Sequence, residues 1–323
     1  MNEIDDKDKK ILYLLDTNSR MTVTQIGKKV GLKKNVVSYR LKRLKQKGII
    51  KKYYTYIDAY KLGYISFRFY LNYQYTNPKI ENEIINYFVS NKHIWRVISI
   101  KERFDLGVTT WVKDTNEFYK FWSSTMEKFG EYFTDITFSA CIQSYDYRYS
   151  FILDETLKKS DREEFELKGG GKRIEIEDID RKILSLIAEN SRMSLKEIGR
   201  RLSISSTMAA YRLKNLVKNG MIQAFRTDID ISKLGYQQFK VDIFLRKYKQ
   251  RSSIIKYLRF NPYLLHIGTS SGVSDLELEF AVKKVDKIYE ILEELIVRFP
   301  NVIKNYKYFN IVKVHKINYM PEI

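Results

Sequence analysis

Apolar residues at helical spacing mark the first element of the chain. From Asp8 to Asn18, Ile11, Leu12 and Leu15 share one face, and the stretch closes in the polar turn Asn18-Ser19-Arg20. Thr24 to Val30 predicts a short second helix capped by Thr22 or Thr24. Gly31-Leu32 predicts a tight turn, and Lys34 to Lys47 a third helix stopped by Gly48. Ile49 to Ile57, rich in Tyr and Ile, reads as a two-stranded wing. A short helix, a Gly-containing turn and a longer helix make a helix-turn-helix.

Past Gly63-Tyr64 the period changes. Ile65 to Tyr75 alternates as a strand does, with Phe67, Phe69 and Leu71 on one face. Pro78 to Asn91 is an amphipathic helix opened by proline. Ile94 to Ile100 and Leu106 to Val112 read as strands, Thr115 to Phe129 as a helix, and Ile136 to Tyr149 as a last strand. The order βαββαβ predicts a ferredoxin-like module, so the fold class is α+β. The second half carries the same series: Phe239 to Tyr248, Ser252 to Phe260, Leu264 to Thr269, Leu276 to Val282, Val285 to Phe299 and Val302 to Asn318. Measured from His93 to Asp105 and from His266 to Asp275, the central hairpin of the second module comes out shorter.

The two halves are one unit used twice. At an offset of 172 residues, Asn18-Ser19-Arg20-Met21 matches Asn190-Ser191-Arg192-Met193, and Lys61-Leu62-Gly63-Tyr64 matches Lys233-Leu234-Gly235-Tyr236. In all, 27 of the 61 pairs from Ile4 to Tyr64 are identical. The expected domains are a winged helix-turn-helix over 1–62, a ferredoxin-like module over 63–155, a linker over 156–174, a second winged helix-turn-helix over 175–234 and a second module over 235–323. The linker is expected because Lys158 to Arg173 shows no apolar period and holds Gly169-Gly170-Gly171. Those glycines lack the spacing and the following Ser or Thr of a phosphate loop.

Charge then changes the picture. Lys and Arg outnumber Asp and Glu by 58 to 39 in 323 residues, and a net charge of +19 points to a polyanion, nucleic acid ahead of a membrane surface. The excess is uneven. Between Lys33 and Lys52 stand nine basic residues and no acidic one; the matching span Ser205 to Ala224 has only Arg212, Lys214 and Lys218. On the third helix Val37, Leu41 and Leu44 face the core, and the opposite side suits base edges and phosphates. Candidate DNA contacts in the first head are Lys33, Lys34, Asn35, Ser38, Tyr39, Lys42, Arg43, Lys51 and Lys52, with Lys28 and Lys29 nearby. In the second they are Ser205, Ser206, Thr207, Tyr211, Lys214 and Asn215. A merely solvated Lys-rich face is the plainer alternative. Arg40 and Arg212 recur at the edge of the buried stripe and are expected to pair with Asp8 and Asp180. Positions that differ between heads, such as Asn35 against Thr207, Ser38 against Ala210 and Arg43 against Asn215, predict that the two heads read different half-sites.

Other classes drop out. One cysteine, Cys141, excludes an intrachain disulfide framework and a Cys-rich zinc site. His93, His266 and His315 leave little for a metal centre, and no cofactor is expected. No apolar run reaches membrane-spanning length, and the first residues lack a secretory signal pattern, so a soluble cytoplasmic protein is expected. Cys141 is expected to be a small core residue and the histidines structural.

The run Asp8-Lys9-Lys10-Ile11-Leu12, with Asn18-Ser19-Arg20-Met21, Tyr39-Arg40-Leu41-Lys42-Arg43-Leu44, Gly48-Ile49-Ile50 and their duplicates, resembles the Lrp/AsnC (leucine-responsive, feast/famine) transcription regulators over nearly the whole chain, twice. The resemblance implies that each βαββαβ module is a RAM domain, which in that family dimerises through its sheet and often binds an amino acid between subunits. Two fused copies are then expected to pair within the chain as a pseudo-dimer, with a homo-oligomer between chains left open. The family's Gly-x-x-Asp hairpin implies an effector site. The second module keeps it as Gly272-Val273-Ser274-Asp275, whereas the first has Glu102-Arg103-Phe104-Asp105. Gly272 and Asp275 are the effector candidates, a hairpin turn and its cap being the alternative. The expected function is a sequence-specific regulator on double-stranded DNA, with two nonidentical heads and no enzymatic activity. The rivals are an architectural DNA-binding protein and a siroheme-decarboxylase-like enzyme, which resembles the same two-module fold.

Overall fold

The structure, a computed structural model, describes residues 4–153 and 162–321. The first head consists of α1 (Asp6–Thr17), α2 (Val23–Val30), α3 (Lys34–Gln46) and β1 (Ile50–Ile57). Asp5 caps α1 by accepting from the Asp8 amide at 2.8 Å, while the Asp8 carboxylate accepts from the Asp5 amide. Thr22 and Gln25 repeat that exchange at α2. Gly31 turns the chain into α3 at φ 68°, a left-handed conformation that glycine adopts without penalty.

The first module follows as β2 (Ser66–Tyr73), α4 (Pro78–Ser90), β3 (Ile94–Lys101), β4 (Leu106–Thr110), α5 (Thr115–Phe129) and β5 (Phe133–Tyr147). Next comes β6 (Glu164–Lys168), then the second head: α6 (Asp178–Ala188), α7 (Leu195–Leu202), α8 (Ser206–Lys218) and β7 (Ile222–Ile229). The second module is β8 (Gln237–Leu245), α9 (Arg251–Leu258), β9 (Leu264–Ser271), β10 (Leu276–Val282), α10 (Asp286–Arg298) and β11 (Ile303–Ile317).

Three expectations change on this fold. The wing is not a hairpin within a head: β1 pairs antiparallel with β7, from Ile50 opposite Ile229 to Ile57 opposite Ile222. Each head therefore lends one strand to a sheet that both share. The linker expected over 156–174 contains β6, which pairs with the end of β5 and buries Phe165 and Leu167; residues 156–161 lie outside the described residues. The alternation Glu-Phe-Glu-Leu-Lys was a strand signal, overshadowed by the neighbouring charges and glycines. Finally, Arg96 lies opposite Thr109 and His266 opposite Glu279, so the two central hairpins have equal length and His266 corresponds to Arg96, not His93. The second module is shorter in its first helix instead, with 8 residues in α9 against 13 in α4.

The modules join into one barrel. Strands run in the order β2-β4-β3-β11-β8-β10-β9-β5, and β5 pairs back onto β2 to close the ring. The long strands make the joins: β5 pairs with β2 in its first half and β9 in its second, and β11 pairs with β8 and then β3. Each of these eight strands has a neighbour on either side, while β6 pairs only with β5 among the described strands. On the outer face Phe69, Leu71 and Leu106 pack with Ile84, Phe88 and Phe121 of α4 and α5; Val241, Ile243 and Leu278 pack with Ile254, Ile291 and Leu295 of α9 and α10.

The inner face carries an apolar cluster that includes Tyr70, Ile98, Phe104 and Phe309, and beside it an asymmetric set of ion pairs. Arg68 and Lys240 stand at equivalent positions of the two repeats, and both reach Glu277. Arg96 donates to both oxygens of Glu279 at 2.6 and 2.8 Å. Arg103 pairs with Asp242 at 2.5 Å. In each pair the first repeat supplies cations and the second carboxylates, with Lys240 alone reversing the trend. Burial works to raise the Glu279 carboxyl, but Arg96 outweighs it and holds the group below the usual range.

Candidate nucleic-acid interface

The two recognition helices leave their expected reading faces uncovered. On α3, Lys33, Lys34, Asn35, Ser38, Tyr39 and Lys42 are exposed, while Val37, Leu41 and Leu44 are buried beneath them. On α8, Ser205, Ser206, Thr207, Tyr211, Lys214 and Asn215 are exposed over buried Ala209, Leu213 and Leu216. Tyr39 and Tyr211 occupy the same position of each repeat and are 65% and 63% exposed. The helix starts differ. Ser205 caps α8 by accepting from the Met208 amide at 3.0 Å, whereas Lys33 offers α3 no side-chain cap. Two lysines at a helix N-terminus oppose the helix dipole, an arrangement that a bound phosphate would reverse into an attraction.

The tie predicted beneath the reading face is present in both heads. Arg40 donates to Asp5 and Asp8, at 2.7 and 2.9 Å, and Arg212 to Glu177 and Asp180, at 2.8 and 3.3 Å. Hydrogen bonding to Asp5 holds the Arg40 guanidinium above its usual pKa. Each recognition helix is thus anchored to the first helix of its own head.

Three expected DNA contacts are engaged elsewhere. Arg43 turns inward to Asp8, adding a second guanidinium to a fully buried carboxylate; its counterpart Asn215 has no charge to do so. Lys51 pairs with Asp230 at 3.3 Å, and Lys52 donates to Glu189 at 3.1 Å and to the Ile317 carbonyl at 3.0 Å. Both lysines sit on β1, inside the shared sheet and not at a wing tip. The effector candidates are also committed. Asp275 accepts from the Leu245 amide at 2.6 Å, as Asp105 does from Tyr73 at 2.8 Å. Gly272, at φ 134°, lies where an added Cβ would stand 2.4 Å from the Phe138 carbonyl oxygen. Glycine there lets β5 approach the hairpin, and the cap reading of Asp275 fits.

The repeated motifs, which in the sequence marked the duplication and the family resemblance, join the heads. Ser19 and Ser191 hydroxyls lie 2.6 Å apart. Arg20 donates to the Ser191 and Met193 carbonyls, and Arg192 reciprocates to Ser19 and Met21. Thr55 donates to the Ile187 carbonyl and Thr227 to that of Leu15, each at 2.7 Å. Lys61 reaches the carbonyls of Asn219 and Gly220 at the end of α8, and Lys233 that of Lys47 at the end of α3, cations placed at helix C-termini. A residue's role across the interface leaves no local period, so only the self-match of the sequence hinted at it.

Between the shared sheet and the barrel lies a cavity of about 680 Å³, which the sequence did not announce. Tyr56, Arg68, Arg96, Trp111, Arg226 and His266 are among its walls. Cys141 also lines it, half-buried and free. His266 faces Asp146 at 3.3 Å, and His315 faces Ser99 at 2.8 Å. Among the described residues, no cluster of His, Cys, Asp and Glu could hold a metal ion, and no helix is long and apolar enough to cross a membrane.

A family profile described as winged helix-turn-helix DNA-binding matches residues 4–51 and 176–223, the heads of both repeats. Among curated relatives, an uncharacterised HTH-type transcriptional regulator of Pyrococcus horikoshii is 29% identical over 134 residues, 41% of this chain and 83% of its own. The HTH-type transcriptional regulator LrpA of Bacillus subtilis is 32% identical over 97 residues, 30% of this chain and 65% of its own. The chain carries a winged helix-turn-helix DNA-binding unit twice in tandem and is similar to HTH-type transcriptional regulators such as LrpA. Such relatives align with one repeat at a time. A solved structure, that of the siroheme decarboxylase NirDL, covers 99% of this chain and 94% of its own with a TM-score of 0.63 at 13% identity. That likeness establishes a shared fold over nearly the whole chain.

Proposed function

We propose that this tandem Lrp/AsnC-type protein is a sequence-specific, DNA-binding transcription regulator, cytoplasmic and without enzymatic activity, whose two nonidentical heads read unlike half-sites of one duplex. The observation that carries the reading is the pair of uncovered recognition helices, with lysines, amides, hydroxyls and a tyrosine outward on each, held by reciprocal contacts between heads. Lys34 and Lys42 supply phosphate contact in the first head and Lys214 in the second, while Asn35, Ser38, Thr207 and Asn215 are the base readers. The heads are taken to span 1–62 and 175–234. A gel-shift titration tests this: Lys34→Ala combined with Lys42→Ala weakens duplex binding far more than Lys256→Ala, on the exposed side of α9. Equal binding by both variants removes the assignment.

A second reading, a tetrapyrrole-processing enzyme, is favoured by the full-length fold likeness to NirDL, whose structure is also known in co-complex with an iron-uroporphyrin III analogue. Against it stands the internal pairing of the cavity's arginines. An absorbance change on adding siroheme separates the two readings.

A further inference from the structure

Two hydrogen-bond donors on the cavity wall have no acceptor. Trp111 is 2% exposed, and its indole Nε1 is buried without a partner, as is Nε of Arg96. A buried donor left unmatched costs about 1–3 kcal/mol, so two in one cavity call for an acceptor that belongs there. The strand register brings them together. Arg96 stands opposite Thr109, and Trp111 lies two positions further along, a diagonal neighbour within reach of long side chains.

The cavity's charges set the number of acceptors. Both terminal nitrogens of Arg96 are taken by Glu279, Arg68 is paired with Glu277, and Arg226 with Asp16 at 2.7 Å. The terminal nitrogens of these guanidiniums are taken, which leaves the two single N–H groups to match the two oxygens of one carboxylate, with Lys313 as a further cation on the cavity wall. One wall is a packed aromatic cluster: Trp95 stacks on Trp111 at 5.5 Å and 20°, and Tyr319 lies 5.0 Å from Trp95 and 4.3 Å from Tyr56. A volume of about 680 Å³ falls in the range of sites for drug-sized ligands, and barrel mouths are common places for them.

We infer that the cavity binds an aromatic monocarboxylate, with its ring among Trp95, Trp111 and Tyr319 and its carboxylate on Trp111 Nε1 and Arg96 Nε. Tyr54 and Tyr56 of β1 and Arg226 and Asp228 of β7 also line the space, so the occupant touches the strands that join the heads. Its regulatory use, a change in DNA affinity, rests on the regulator reading; its binding does not.

Calorimetric titration of the full chain, without DNA, tests the site with a panel of aromatic monocarboxylates such as 2-naphthoate, 3-phenylpropionate and indole-3-acetate, each beside its neutral amide. At least one acid binds, and its amide binds roughly tenfold more weakly. Trp111→Phe and Arg96→Lys each weaken the acid by a similar factor; the lysine keeps a cation beside Glu279 while removing the Nε donor. Failure of the whole panel, equal binding of acid and amide, or undiminished binding by both variants overturns the proposal. So does binding of iron-uroporphyrin alone, which supports the enzymatic reading. A positive titration with no DNA binding leaves the site standing and removes only the regulator reading.

Discussion

The hydroxyls of Ser19 and Ser191 meet 2.6 Å apart although 172 residues separate them in the chain, and both residues are fully buried. They mark the local axis that relates the heads. Around them the Ser19 amide donates to Phe225 at 2.7 Å and the Ser191 amide to Tyr53 at 3.0 Å, again equivalent positions. The heads are therefore one rigid reading unit, and the spacing of the recognition helices is set by backbone contacts.

Loss of the reciprocal arginines should loosen that unit. Arg20→Met with Arg192→Met removes donors to four carbonyls and is expected to cost about 1–3 kcal/mol per guanidinium in urea unfolding. Duplex affinity falls with it although neither residue is on a reading face. Unchanged stability would show that the contact between heads is incidental.

The barrel interior predicts a larger effect. Glu277 is fully buried and accepts from both Arg68 and Lys240, so Glu277→Gln strands the buried Arg68 guanidinium; burial already pushes the Lys240 amine well below the usual lysine pKa, and it loses a partner too. Breaking a buried pair costs about 3–5 kcal/mol. A fall of less than 1 kcal/mol in the unfolding free energy at pH 7 is incompatible with this pairing.

Asp58 provides a pH signature. Burial pushes its carboxyl up to about 6, whereas the equivalent Asp230, offset by Ser232 and Lys51, sits below the usual value despite its own partial burial. A carboxyl raised on folding binds more protons in the folded state, so its contribution falls as pH rises from about 4 to about 6. Asp58→Asn keeps an acceptor for the Tyr60 amide and removes the charge. The variant gains stability relative to the native chain at pH 7, by at most about 3 kcal/mol, and the gain disappears near pH 4. A difference independent of pH across that window contradicts the raised pKa.

Salt dependence separates phosphate contacts from base readers. Lys34→Ala and Lys42→Ala each lower the slope of log affinity against log salt by about 0.9, uniformly across sequences. Asn35→Ala leaves the slope and costs about 1–3 kcal/mol on the preferred sequence only. Arg43→Ala changes neither slope nor preference, because its charge is spent on Asp8.

Much of this molecule was legible in the chain. Helical period and caps placed α1 to α3, the repeat carried them over to α6 to α8, and alternation placed the barrel strands. The Arg40–Asp8 tie followed from helix faces alone. What escaped was everything held across the two repeats. Lys51 and Lys52 read as wing lysines because nothing local says that β1 pairs with β7, and Arg43 read as a contact because its angle on the helix is open to Asp8 as well as to solvent. Arg96 and Trp111 gave no signal, since a lone Arg or Trp on a strand gains meaning only from the neighbours that leave its nitrogen unmatched.

The most direct test of the central claim is footprinting of the full chain on a library of random genomic fragments. Two adjoining, unlike protected half-sites are expected to recur, and Lys34→Ala with Lys42→Ala should erase one before the other. Protection without sequence preference, or the same half-site under both heads, would contradict a regulator with two different reading heads.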